Sequence, residues 1–395
     1  MKAFLSGDEA VAEGVRLARP NVISAYPITP QTVVVERLSE MVASGQLDAE
    51  YMHVESEHSA LSAAMGASAT GARTFTATSS QGLLYMAEVL TYAAGGRFPV
   101  VMMNANRSTA LPWNIYGDQR DSLSLLDHGW IQAYAEDNQE ALDLVLMAYA
   151  IAENQSVSTP FMLNLDGFAL THTYETVDIP TQEEADSFLP AFKTQNKFNF
   201  ENPVNMAFSA GPDSNALFKR AEHEDMKSAF EVICEVEEKF SKVFNRDYLG
   251  PTEAYKCEDA DYVVVTLGSI SGLVRRVVDE LRDKGERVGL LKIRYMRPFP
   301  SHLVSSALKN CKSFAVLEKD ISFGFEGTVF SNVKASLFDE GVLKPALDFI
   351  GGLGGDDITK EDIYSIFDML QKRAIDKEVP VINWLGCASD KGTSR

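Results

Sequence analysis

Arg107 follows an apolar segment, Pro99 to Asn104, that reads as a strand. A guanidinium fork at a strand end can hold a carboxylate through two charge-assisted hydrogen bonds. The plain alternative is an arginine paired with Asp118 or Asp121 of its own loop, Asn104 to Asp121 (NANRSTALPWNIYGDQRD). Two acids, Glu55 and Glu57, lie at the start of a helix, where the plain role of an acid is to interact with the helix dipole, worth a few tenths to about one kcal/mol. Strand alternation places both on one side, so the residues alone do not choose between them. In Tyr26-Pro27-Ile28-Thr29-Pro30 a short strand meets a helix, with Thr29 as N-cap and Pro30 as first helical residue. Free backbone donors at such an end attract anions, so a small carboxylate-bearing molecule fits both places, and an ordinary capped turn is the alternative. Trp113 and Tyr116 beside Arg107 either close a pocket around an acid or pack beneath a long loop. His58 and His128 receive no role.

These loops need a frame. Asn21 to Tyr26, Glu50 to Val54, Arg73 to Thr78, Pro99 to Asn104, Ile131 to Tyr134 and Phe161 to Leu165 read as strands. Helical patterns lie between most of them: Gln31 to Val42, Glu57 to Ala69, Gln81 to about Ala94 and Gln139 to Glu153. A first helix is expected over Asp8 to Ala18 with Asp8 as its cap. Alternation at this interval predicts a doubly wound α/β domain with a parallel sheet over residues 1 to about 180. From Pro180 to about Asp213 periodicity fails, and Phe188, Phe192, Phe198 and Phe200 suggest an arm that packs on a neighbour. Helical spacing returns from Ala221 to about Phe240. A second, smaller α/β unit begins near residue 260 (YVVVTL), so the division expected is 1–245, including the arm, and 255–395. Its Gly268-Ser269-Ile270-Ser271-Gly272 turn lacks dinucleotide spacing. The run Gly351-Gly352-Leu353-Gly354-Gly355 asks for unusual backbone angles and reads as a turn.

Over 395 residues, 36 Lys plus Arg against 56 Asp plus Glu give a net charge of −20, which argues against nucleic acid or an anionic membrane as partner. The amino terminus has no signal-peptide core and no run reaches membrane-helix length, so a cytoplasmic protein is expected. Cys234, Cys257, Cys311 and Cys387 have no C-x-x-C spacing, which speaks against a metal or iron-sulfur site on this chain.

Taken in order, YPITP, V-E-S-E-H, the S-S-Q-G turn, N-R followed by N-I-x-G-D-x-x-D, L-D-G-F-x-L-T-H-T, R-Y-M-R-P-F-P and V-L-E-K-D are motifs over nearly the whole chain. In that order they resemble the alpha subunit of 2-oxoacid:ferredoxin oxidoreductases, most closely the pyruvate type. The resemblance implies a thiamine pyrimidine-binding-type domain followed by a transketolase C-terminal-like domain. It implies thiamine diphosphate with Mg2+ held mainly by a beta subunit, since no G-D-G followed by a downstream Asn occurs here. It also implies [4Fe-4S] clusters on partner chains and none on this one, gamma and delta ferredoxin-like subunits, ferredoxin as acceptor and coenzyme A as substrate. By the same resemblance Glu57 contacts the far ring nitrogen of the aminopyrimidine, with Pro27 and Ile28 also at the cofactor. Arg107 and the Thr29 hydroxyl hold the substrate carboxylate. Arg120 departs from the family pattern and either alters substrate choice or faces solvent. The implied activity is oxygen-sensitive, coenzyme A-dependent oxidation of pyruvate. The alternatives are another acid such as phenylglyoxylate or 2-oxobutyrate, or a non-catalytic nucleotide- or partner-binding subunit.

Overall fold

The computed structural model describes residues 1–206, 208–376 and 378–386, so Cys387 lies outside the described residues. The first part of the chain runs β1 (Lys2–Ser6), α1 (Gly7–Ala18), β2 (Val22–Ala25), α2 (Thr32–Ala43), β3 (Glu50–His53), α3 (Glu57–Ser68), β4 (Thr74–Thr78), α4 (Ser80–Tyr85), α5 (Ala87–Gly95) and β5 (Val101–Asn106). It continues through α6 (Arg120–Leu123), β6 (Ile131–Tyr134), α7 (Asn138–Ala152), β7 (Phe161–Asp166), β8 (Tyr174–Asp178), α8 (Gln182–Phe188) and α9 (Pro212–Phe244). The remainder is β9 (Thr252–Tyr255), β10 (Tyr262–Leu267), α10 (Ile270–Arg282), β11 (Val288–Ile293), β12 (Tyr295–Arg297), α11 (Ser301–Leu308), β13 (Ser313–Glu318), α12 (Thr328–Asp339), β14 (Ala346–Ile350), α13 (Lys360–Arg373) and β15 (Ile382–Trp384).

Seven strands form the first sheet in the order β12-β6-β7-β5-β4-β2-β3, parallel except for β12. Six form the second, β15-β14-β13-β10-β11-β9, parallel except for β9. The central strands of both are buried on two faces, with successive side chains turned to opposite sides of the sheet. In β5, Val101, Met103 and Ala105 enter the core shared with α1, α2 and α7, while Met102 enters the core shared with α3 and α5. In β10, Val263 and Val265 face the side of α11 and α12, and Val264 faces α10 and α13.

Several expectations are corrected. Helix α1 is capped by Ser6, in a reciprocal box with Glu9, and not by Asp8, whose carboxyl is buried without a hydrogen-bond partner. Burial, and then the Glu9 charge, push that carboxyl well above the usual range. Helix α2 begins at Thr32 behind Gln31, not at Thr29 and Pro30. The Gln81 to Ala94 pattern is two helices broken at Met86. The stretch 180–213 holds α8, and Phe188 is buried against Phe240 and Phe244 of this same chain. Phe200, by contrast, is 99% exposed. Helix α9 starts at Pro212, earlier than the periodicity suggests, because its first turns are exposed and carry no apolar stripe. The antiparallel pair β1–β8 joins residues about 170 apart and leaves no local sign of its pairing.

The two sheets meet along an ionic seam. Lys292 donates to both oxygens of Glu140 at 3.0 and 2.8 Å and lies 2.9 Å from Glu136. Arg294 binds Glu140 and Arg275 joins Glu136 to Glu253. Strand β12 follows Arg294 directly and is lent to the first sheet, where Tyr295 faces Ala133. Burial raises the Glu140 carboxyl, but Lys292 and Arg294 outweigh it and bring the group down to about 2. No helix among the described residues is long and apolar enough to cross a membrane.

Candidate functional site

The loops singled out by sequence leave the carboxyl ends of four adjacent strands, β5, β4, β2 and β3. Strand β2 leads outward to β3 while β4 leads the other way to β5, so the sheet changes direction between β2 and β4. That is where open α/β sheets place ligands. The buried Gln31 amide spans this point, donating to Tyr26 O at 3.0 Å and Ala77 O at 3.2 Å. Committed to those carbonyls, its side chain does not cap α2. Pro27 and Thr29 are exposed and Ile28 is half-buried.

The two glutamates separate. Strand β3 ends at His53, so the alternation expected to keep them together does not reach either residue. Glu55 is exposed and accepts the Ser59 hydroxyl at 2.7 Å, which holds its carboxyl below the usual range. Glu57 opens α3 behind the cap Ser56 and is half-buried, and its carboxylate makes no hydrogen bond or ion pair among the described residues. It sits against Gly82 of α4, where an added Cβ would lie 2.7 Å from both Glu57 Oε1 and Thr78 Oγ1. A side chain at position 82 would therefore displace the acid.

Arg107 is only 3% exposed and has no ion-pair partner among the described residues, which removes the plain reading of a surface pair with Asp118 or Asp121. Its Nη1 donates to Thr29 O at 2.9 Å and its Nε to Asn114 O at 3.2 Å. Burial lowers its pKa, with the Asp121 charge opposing, though a guanidinium keeps its charge. Trp113 lies over the guanidinium, ring centroid 5.3 Å away, and is 71% exposed. It is a cover, not packing beneath the loop. Tyr116 is turned toward Phe168, 5.0 Å between centroids. Arg120 is half-buried and its Nη2 binds Asp118 at 2.7 Å. His58 lies 3.5 Å from Glu88 and packs on Tyr85, and the buried Nδ1 of His128 has no hydrogen-bond partner among the described residues.

What unites the loops is Asp121, which the sequence offered only as a possible partner for Arg107. Its fully buried carboxylate accepts Ser80 N and Arg107 N, both at 3.1 Å, and Asn106 Nδ2 at 2.8 Å. Ser80 is held at φ 50°, in the left-handed region, with its hydroxyl 2.6 Å from Ser108 O. The turn carrying Gly82 and the loop carrying Arg107 are thus fixed to one another. Burial, only partly offset by these donors, pushes Asp121 up to about 6. The one sequence signal for this hub was the pair of asparagines, Asn104 and Asn106, in an otherwise apolar strand. Among the described residues no group of three or more His, Cys, Asp or Glu could hold a metal ion.

Residues 13–238 match the family model described as "Pyruvate flavodoxin/ferredoxin oxidoreductase, thiamine diP-bdg", and residues 260–363 match "Pyruvate:ferredoxin oxidoreductase core domain II". The chain is 46% identical to the pyruvate synthase subunit PorA of Methanothermobacter thermautotrophicus over 382 residues, 97% of each chain. It is 44% identical to the ketoisovalerate oxidoreductase subunit VorA of Pyrococcus horikoshii, over 96% of this chain and 97% of that one. The solved structure of a 2-oxoglutarate:ferredoxin oxidoreductase from Magnetococcus marinus superposes with a TM-score of 0.71 at 22% identity, covering 94% of this chain and 65% of that one, a likeness of fold.

Proposed function

The chain belongs to the pyruvate flavodoxin/ferredoxin oxidoreductase family, and from that premise we propose that it is the alpha subunit of a thiamine diphosphate- and coenzyme A-dependent pyruvate:ferredoxin oxidoreductase. The observation that carries the reading is the pairing, on one face, of a buried guanidinium without an ion-pair partner and a half-buried carboxylate without any partner. A finished protein surface neutralises such groups; a half-built site leaves them for what arrives.

The donor set suits a thiamine-type ligand. Near the Glu57 carboxylate Thr78 Oγ1, and at the ends of the same strands Ser79 Oγ and Gln31 Oε1, are buried without hydrogen-bond partners among the described residues. When bound, thiamine diphosphate supplies the nucleophilic carbon and the electron sink for decarboxylating a 2-oxoacid. Glu57 would hold the far pyrimidine nitrogen through a shared proton at its carboxyl. Pro27 and Ile28 line the approach from the β2 end. Arg107 grips the substrate carboxylate, the Thr29 hydroxyl adds a donor, and Trp113 covers the guanidinium from water. We assign the diphosphate and its Mg2+ to a beta subunit, and the [4Fe-4S] clusters to gamma and delta subunits that feed ferredoxin. The apolar side chains around the site, Tyr26, Leu84, Tyr85, Leu111, Trp113 and Ile115, are exposed in the chain alone and suit a face that a partner subunit covers.

The test is coenzyme A-dependent reduction of an electron acceptor by the assembled enzyme, with pyruvate, 2-oxobutyrate, ketoisovalerate and phenylglyoxylate compared. Preference for pyruvate by kcat/KM is expected. Preference for a bulkier acid overturns the substrate assignment, and no turnover with any 2-oxoacid overturns the function.

A further inference from the structure

We propose that Gly354, in the glycine turn after β14 of the second sheet, positions the Arg107 guanidinium through Asn114. The second sheet would then set how tightly the substrate carboxylate is held without touching the substrate. The proposal rests on Arg107 being the carboxylate grip.

Two reciprocal hydrogen bonds join the turn to the arginine loop. Asn114 Nδ2 donates to Gly354 O at 2.8 Å, and Gly354 N donates to Asp118 Oδ2 at 3.0 Å. The remaining oxygen of the Asn114 amide accepts Tyr116 N at 2.7 Å, so the side chain is committed on both ends. Its backbone carbonyl is what Arg107 Nε uses, at 3.2 Å, and Ser108 Oγ lies 3.3 Å from that same carbonyl. The guanidinium is therefore anchored by two carbonyls. One belongs to Thr29 in the first sheet's own loop, and the other to Asn114, whose place is set by the second sheet. Nη2 remains without a protein partner among the described residues.

The loop has one tie of its own, Ser108 N to Tyr116 O at 3.0 Å, but between these residues Leu111 is 83% exposed and Trp113 stands in solvent over the arginine, so the bonds to the glycine turn are what fix Asn114 from outside the loop. The approach is also one that only glycine permits. Gly354 has φ +62°, and a Cβ there would lie 2.5 Å from Asn114 Nδ2. That accounts for one glycine of the run that the sequence shows only as a turn. An arginine has many rotamers to lose, and holding its fork in place before the acid arrives removes that cost from binding.

The test uses the complete enzyme complex carrying Asn114→Ala, Gly354→Ala, Arg107→Ala, or Arg107→Ala with Asn114→Ala. The first two break the contact from opposite sides, so the loss of either variant to misfolding leaves the other. Each is expected to raise KM for the 2-oxoacid about five- to tenfold, the effect of one hydrogen bond, with kcat within about twofold. The double variant is expected to match Arg107→Ala alone, because the Asn114 effect passes through the arginine. Unchanged KM in the single variants beside a raised KM for Arg107→Ala overturns the positioning role and leaves the grip standing. An Asn114→Ala penalty that persists in full on top of Arg107→Ala does the same. Unchanged KM for Arg107→Ala overturns the grip itself.

Discussion

The seam between the sheets and the face at the ends of β5, β4, β2 and β3 are both built from buried charge, yet they are solved in opposite ways. At the seam Glu140 meets Lys292 and Arg294, and Arg275 closes on Glu136 and Glu253. Each of these charges has a partner in the chain and Glu140 is drawn down to about 2, although Glu237, buried near Arg294 and Glu140, is pushed up to about 7 by its burial. At the face, Asp121 is buried with hydrogen bonds but no facing cation and rises to about 6, while the nearby Arg107 side chain points away to Thr29 O and Asn114 O. A cation that could have neutralised a buried acid next to it is kept out of that pairing. On the proposed reading, the difference separates a region whose named ion pairs close within this chain from one that a ligand and a second subunit complete.

The largest expected effect falls on the finished region. Glu140→Ala leaves Arg294 buried without its ion-pair partner and Lys292 with Glu136 alone, and should cost about 3–5 kcal/mol in unfolding measurements. A loss near zero would mean that the seam is not what holds the sheets together. In the open region the balance reverses. Glu57→Gln should lower kcat of the assembled enzyme roughly 10²- to 10³-fold while leaving the unfolding midpoint unchanged, because no contact within the chain is lost. A variant that is destabilised but active would place Glu57 with the seam.

Acid and base should pull the regions apart. Glu140 is depressed in the fold, so its contribution is present above about 4.5 and is lost as pH falls through about 2. The stability gap between wild type and Glu140→Gln should therefore shrink by about 3 kcal/mol over that range. Asp121 is raised, so its contribution is present below about 4 and is lost as pH rises through about 6. The gap to Asp121→Asn should shrink by a similar amount, about 3 kcal/mol, in the opposite direction. Two gaps with the same slope in pH would erase the distinction. The smallest effect is at the cover. Trp113→Ala removes a cation–π contact and should raise KM about three- to tenfold.

The sequence made the frame and the loops legible because both depend on local pattern. Apolar runs at regular intervals announce β2 to β7 and the opening strand of the second unit, β10, and an arginine just past such a run marks a strand end. The rest depends on partners distant in the chain. The β1–β8 pair, the loan of β12 to the first sheet and the choice between Glu55 and Glu57 each turn on contacts that no window contains. Glu57 is set apart because Gly82, 25 positions later, leaves room for its carboxylate. Asp121 could be seen as a possible ion-pair partner but not as a hub, since the donors it gathers come from β4, β5 and the turns after them.

The most direct measurement is a structure of the assembled enzyme with thiamine diphosphate and a 2-oxoacid bound. The expected result is the Glu57 carboxyl within hydrogen-bonding distance of the pyrimidine nitrogen and the Arg107 guanidinium on the acid's carboxylate, both supplied from this chain while another subunit holds the diphosphate. A pyrimidine ring contacted by some other acid, with Arg107 still bound only to Thr29 and Asn114, would contradict the account.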